Sequence, residues 1–176
     1  MEVGIDGRSL VGAQRGRGVA HYTRALLEAL AAEFPDDRWR VLLPASSSAA
    51  LAASLERHNI AVRHHRLPSR ALFGAAAVVR RPRLDRLLGG ELDVVWAPAP
   101  APLAVSGRVP LVVTVHDLSF EQRPHDYTGY ERLWHRLARP RRLAEQAARI
   151  VAVSDATAAV VRERWELAAD RVSVVR

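Results

Sequence analysis

The segment Leu111-Val-Val-Thr-Val115 is an apolar, β-branched run that ends in His116-Asp117. Its length and composition read as a buried strand. An imidazole and a carboxylate at the carboxyl end of such a strand lie where ligands collect in an open α/β sheet. A carboxylate beside an imidazole can fix its tautomer or stabilise its cation, and the imidazole can hydrogen-bond a hydroxyl. Neighbouring strand residues point to opposite faces, so the pair need not touch. A hydrogen-bonded histidine and a capping aspartate would suit the same positions.

Two further segments bring polar groups to equivalent places. The glycine-rich stretch Val11-Gly-Ala-Gln-Arg-Gly-Arg-Gly18 joins a short strand, Val3–Asp6, to a helix whose stripe is Ala25, Leu26, Leu27, Leu30 and Phe34. Glycines let backbone approach a ligand, and a helix N-terminus presents unpaired N–H groups to an anion. Arg8, Arg15 and Arg17 nearby favour negative charge there. The order of residues is neither Gly-x-Gly-x-x-Gly nor a P-loop, so a structural turn and a phosphate or sugar contact both stay open. Ser154-Asp-Ala-Thr157 reads as a helix cap whose serine borders the same sheet edge. His58, His64, His65, His125 and His135 show no metal-ligand spacing, and no Gly-x-Ser-x-Gly elbow is present.

The elements that must position these groups follow from hydrophobic periodicity. Strands are expected at Val3–Asp6, Trp39–Leu43, Ile60–Val62 (extending towards Leu67), Asp93–Ala97, Leu111–Val115, Arg149–Ser154 and Arg171–Val175. Helices are expected between them, including one capped by Ser46–Ser48 and running to about Arg57. Another spans about Tyr127 to Ala148 with an interruption near Pro140, after a loop through Pro124. Ala71–Arg80 reads as helical, Pro82 as a kink and Gly89-Gly90 as a stop. The Ala-Pro repeat from Ala97 to Pro102 cannot join a ladder. Short apolar strands alternating with helices imply a Rossmann-like, doubly wound α/β domain: a mainly parallel sheet of about seven strands with helices on both faces.

Composition narrows the function. The chain has 176 residues, 49% hydrophobic and 26% charged, which suits one globular domain. It has no cysteine, hence no disulfide, thiolate nucleophile or Cys-ligated zinc. No apolar run reaches membrane-spanning length, and Met1-Glu2-Val3 leads directly into a strand without a basic leader, so the expected compartment is the cytoplasm. The net charge is +7, yet all 26 basic residues are scattered arginines, several alternating with acids as in Arg162-Glu-Arg164. That pattern argues against nucleic acid as a partner. Arg80, Arg81, Arg83 and Arg86 among Val and Leu admit either a solvated helix face or peripheral contact with anionic membrane.

Together these features resemble the N-terminal half of a GT-B glycosyltransferase of family 4. The resemblance is carried by Gly4-Ile-Asp-Gly-Arg-Ser-Leu10, Arg15-Gly-Arg-Gly-Val-Ala-His-Tyr-Thr-Arg-Ala-Leu-Leu27, Val115-His-Asp-Leu118 and Arg149-Ile-Val-Ala-Val-Ser-Asp-Ala-Thr157, followed by the strand at Arg171–Val175. His21 stands where relatives often have arginine. The resemblance implies the acceptor-binding domain of a retaining enzyme that moves a sugar from a nucleotide sugar to a glycan, lipid-linked or natural-product acceptor. His116 would line the reaction centre and contact the transferred sugar. Gly16 and Gly18 would approach the donor pyrophosphate, with Arg8 and Arg17 beside them, and Asp117 and Ser154 would sit on the cleft rim. No metal is implied. The donor-binding half, with its Glu-x7-Glu motif, would lie outside residues 1–176, since no two glutamates here stand eight positions apart. The domain alone is then expected to be nearly inactive. A standalone α/β ligand-binding or regulatory domain is the alternative. A dehydrogenase-type or flavodoxin-like domain is weakened by the missing Gly-x-Gly-x-x-Gly.

Overall fold

Seven short segments rich in Val, Ile and Leu pair into one sheet whose strands are all parallel. They are β1 (Glu2–Asp6), β2 (Arg38–Pro44), β3 (Ile60–His65), β4 (Val94–Ala97), β5 (Leu111–Val115), β6 (Arg149–Ala152) and β7 (Val172–Val174). The computed structural model describes residues 1–11, 18–66 and 69–175. Spatial order is β3-β2-β1-β4-β5-β6-β7. The chain therefore winds outward from β1 in one direction and then, from β4, in the other. That reversal opens a crevice at the carboxyl ends of β1 and β4, the place where doubly wound sheets bind ligands.

Two separate cores follow from the winding. On one face, helices α1 (Gly18–Glu33) and α2 (Ala49–Leu55) pack through Leu27, Ala31, Leu51 and Leu55 on Ile5, Trp39, Val41 and Leu43. On the other, α4 (Leu84–Leu88), α7 (Pro140–Gln146) and α8 (Asp155–Trp165) cover Val95, Val113, Val115, Ile150 and Ala152. Helix α3 (Ser69–Val79) precedes α4, and a left-handed Gly89, φ 71°, stops α4 as the Gly-Gly pair predicts. Ser48 caps α2 from its side chain, as expected.

The β5–β6 connection differs from its sequence reading. The expected loop after β5 contains a short helix, α5 (Ser119–Gln122), because Asp117 Oδ1 accepts from the Ser119 amide at 2.8 Å and starts the turn. The expected interruption near Pro140 is present and divides the expected helical segment into two helices, α6 (Gly129–Ala138), opened by a Thr128/Glu131 capping box, and α7. They are separated by Arg139, whose φ of 46° is left-handed, with Pro140 at the first position of α7. Between β4 and β5, residues 98–110 contain neither helix nor strand.

Gly7 is where β1 leaves the sheet closest to β2. A Cβ built there would meet Val41 Cγ1 at 2.6 Å and the Leu42 carbonyl oxygen at 2.8 Å. The carbonyl belongs to buried strand backbone and cannot yield as a side-chain tip would. Gly7→Ala is therefore expected to destabilise the fold by about 1–3 kcal/mol. Thermal unfolding checks this, and an unchanged melting temperature would refute the close-approach argument.

Candidate active site

The ends of β1, β5 and β6 deliver the candidate groups to one sheet edge, with the link after β4 between them. At the end of β1, the Arg8 guanidinium is held by Asp6 through two hydrogen bonds, Nε to Oδ1 and Nη2 to Oδ2, both 2.6 Å. Both side chains are 5% exposed. Opposite charges two residues apart can meet here because the chain turns into a 3-10 helix at Gly7–Leu10 directly after the strand. The third guanidinium nitrogen, Nη1, donates to the Pro102 carbonyl at 3.2 Å, across the crevice on the link that follows β4. Arg8 thus joins the ends of β1 and β4, with its charge neutralised by Asp6, the last residue of β1.

His116 grips the same link from the other side. Its Nε2 lies 2.8 Å from the Pro98 carbonyl oxygen. A carbonyl only accepts, so Nε2 carries the proton and Nδ1 of the neutral ring is an acceptor. Nδ1 makes no hydrogen bond among the described residues and is not buried. The Tyr22 and His116 rings meet edge to face with centroids 4.9 Å apart, and Tyr22 packs in turn on Trp96 at 6.3 Å. Burial pushes the His116 pKa down, against the weaker opposing effects of the Pro98 bond and the Asp117 charge. The ring is thereby kept neutral at physiological pH.

Asp117, two residues past the end of β5, is engaged by the turn that follows and not by the Pro98 link. It is exposed, and its Oδ1 accepts from the Ser119 amide and hydroxyl. Ser154 caps α8, accepting from the Thr157 amide at 3.1 Å. Its hydroxyl lies 3.0 Å from that of Thr157, which donates to the His116 carbonyl at 3.1 Å. The structure therefore brings His116, Ser154 and Arg8 onto one crevice wall, with Asp117 on the adjoining rim. Gly18 opens α1 and is exposed. Gly16 and Arg17 lie outside the described residues. Tyr22 and Thr157 were not singled out from the sequence, although each stands one helical turn or less from a residue that was. Among the described residues no helix is long and apolar enough to cross a membrane.

Comparison with known proteins agrees with this geometry. The profile of Glycosyltransferase Family 4 matches residues 16–176. The crystal structure of Anabaena Alr3699/HepE in complex with UDP and glucose superimposes with a TM-score of 0.55 at 20% identity. The match covers 99% of this chain and 44% of that one, so the chain spans less than half of the HepE structure. No curated protein matches the sequence.

Two measurements check the electrostatics of this wall. Asp6→Asn leaves a buried guanidinium without its counter-charge, and is expected to cost about 3–5 kcal/mol. The double change Asp6→Asn, Arg8→Met removes the stranded charge and is expected to be milder; equal losses in a urea melt would sink the pairing argument. Burial also lowers the pKa of His135. The unfolded chain therefore binds more protons than the native one below its ordinary histidine pKa of about 6.5, and stability rises with pH. The contribution is complete above about pH 6.5 and is lost as pH falls through that value towards the lower native pKa values. Urea midpoints should drop between about pH 7.5 and pH 5, less steeply in a His116→Gln, His135→Gln variant.

Proposed function

This chain belongs to glycosyltransferase family 4, and from that premise we propose that it is the acceptor-binding half of a retaining GT-B enzyme. The reaction moves a sugar from a nucleotide sugar to a glycan, lipid-linked or natural-product acceptor. The bond from the anomeric carbon to the diphosphate breaks, a bond to the acceptor oxygen forms, and the acceptor proton leaves with the nucleoside diphosphate. HepE, which shares the fold, holds UDP and glucose in its crystal structure.

The observation that carries the reading is the state of His116. With Nε2–H committed to Pro98, a neutral imidazole offers Nδ1 to a sugar hydroxyl. Neutrality matters because the anomeric carbon gains positive charge in the transition state, and a cation beside it would oppose that development. Arg8 acts as a positioning residue, holding the β4–β5 link against which His116 is braced. Gly16 and Gly18, with Arg17, would approach the donor diphosphate at the start of α1. Asp117 and Ser154 would form the rim facing a donor-binding domain, and the domain alone would be nearly inactive. No metal is needed in this scheme.

Peripheral contact with the inner face of a membrane fits the end of α3. Val78 and Val79 are 75% and 63% exposed and run directly into Arg80 and Arg81, a mixture of apolar and cationic groups suited to anionic lipid.

In the full-length transferase, His116→Ala should reduce turnover by about a hundredfold or more. It removes one part-buried hydrogen bond, so stability should fall by only about 1 kcal/mol. Steady-state kinetics with nucleotide sugars, beside a thermal melt, separate the two effects. Parallel loss of both would make His116 a structural residue and sink the reading.

A further inference from the structure

Beside the His116 crevice, on the far side of Asp117, lies a second concavity of about 570 Å³ between α5, α6 and α7. Its floor is aromatic. Phe120 stacks on His135 at 4.3 Å with the rings within 4° of parallel, and Tyr127 meets His135 edge-on at 5.5 Å. Its rim is cationic. Among the lining arginines, Arg141 is paired with Glu145 and Glu166, and Arg132 donates to the Tyr127 carbonyl. Arg136, Arg139 and Arg142 are exposed and have no carboxylate partner among the described residues. The two lining glutamates are already engaged, Glu145 with Arg141 and Glu121 with the Trp165 indole.

Two features set this apart from an ordinary solvated arginine face. Arg139 occupies a left-handed backbone position, φ 46°, where glycine or asparagine is easier. It is the C-cap of α6, and the turn into α7 sets its guanidinium at the junction of the two helices, on the cavity rim. The cavity is also wired to the crevice. The Ser119 hydroxyl bonds both Asp117 and the Tyr127 hydroxyl, and the Asp117 charge acts on both His116 and His135.

We propose that this cavity is a phosphate-binding subsite for a phosphorylated sugar acceptor, with the sugar ring on the Phe120–Tyr127–His135 floor and its phosphate on Arg136, Arg139 and Arg142. An aromatic face suits the C–H face of a sugar, and unpaired guanidinium groups are the natural partners of phosphate oxygens. The assignment rests on the transferase reading for the word acceptor; the phosphate site itself does not. The phosphate could belong to a soluble phosphosugar or to a lipid headgroup, and both present the same chemistry to the arginines.

Glucose 1-phosphate is the probe, titrated by NMR into the full chain with the aromatic resonances of Tyr127 and His135 as readout. These should shift, and the shifts should vanish in an Arg136→Gln, Arg139→Gln, Arg142→Gln variant. Arg139→Gly should raise the melting temperature by relieving the backbone while weakening binding about tenfold; a lower melting temperature with binding intact would overturn the role given to Arg139. Shifts that are absent, or that survive in the triple variant, would overturn the subsite. Retention on phosphatidylcholine vesicles containing phosphatidylglycerol, lost in the triple variant, identifies a lipid phosphate; retention unaffected by it, with the titration positive, identifies a soluble phosphosugar. A positive titration in a full-length protein that transfers no sugar from any nucleotide sugar would overturn the transferase reading and leave the phosphate site standing.

Discussion

A single buried charge pair organises the functional edge of this molecule. Asp6 and Arg8 neutralise one another at the end of the central strand, where neither could be carried into the interior alone. Such pairs add little net stability against apolar replacements, so the value of this one lies in geometry. The remaining guanidinium nitrogen reaches the Pro102 carbonyl, and His116 reaches Pro98 from β5. The proline-rich link is thus pinned at both ends of a five-residue span, although its prolines bar it from the sheet. Without that link, the crevice between β1 and β5 would have no fixed wall.

Burial then divides the electrostatics of the edge. Inside the crevice little net charge is left: the carboxylate and guanidinium offset one another as an ion pair, and burial disfavours the charged form of the imidazole. Outside it, beyond Asp117, Arg136, Arg139 and Arg142 gather near aromatic rings with no carboxylate partner among the described residues. The two regions meet at Asp117, between His116 and Phe120. The difference is that α6 and α7 present their arginines from exposed helix faces, whereas Arg8 is overlain by the link it holds.

Most of the architecture was legible because parallel strands buried on both faces must be apolar throughout, and seven such runs alternate with helical periods. The Ala-Pro link, the caps at Ser48 and Ser154 and the break near Pro140 were legible for local reasons, each being a property of one or two residue types. Helix α5 was not, because four residues are too few to show a period. The bond between Arg8 and Asp6 was also hidden. Two opposite charges two positions apart look like any solvated pair until burial is known, and the guanidinium reads as free for a ligand. Phe120, Tyr127 and His135 are spaced like a helical stripe, but they belong to α5, the turn before α6 and α6 itself, so their ring cluster comes from the fold and not from one helix face.

The winding order has a consequence for biosynthesis. β1 receives β2 early, but its other neighbour is β4, with Val3 opposite Val94. Chains emerge at about 5–20 residues per second, so β1 waits several seconds on the ribosome for its second partner. During that interval the pairing of Asp6 with Arg8 needs nothing further along the chain. A charge couple formed between near neighbours is complete before the sheet closes over it, and so no lone ion has to be sealed inside when β4 arrives.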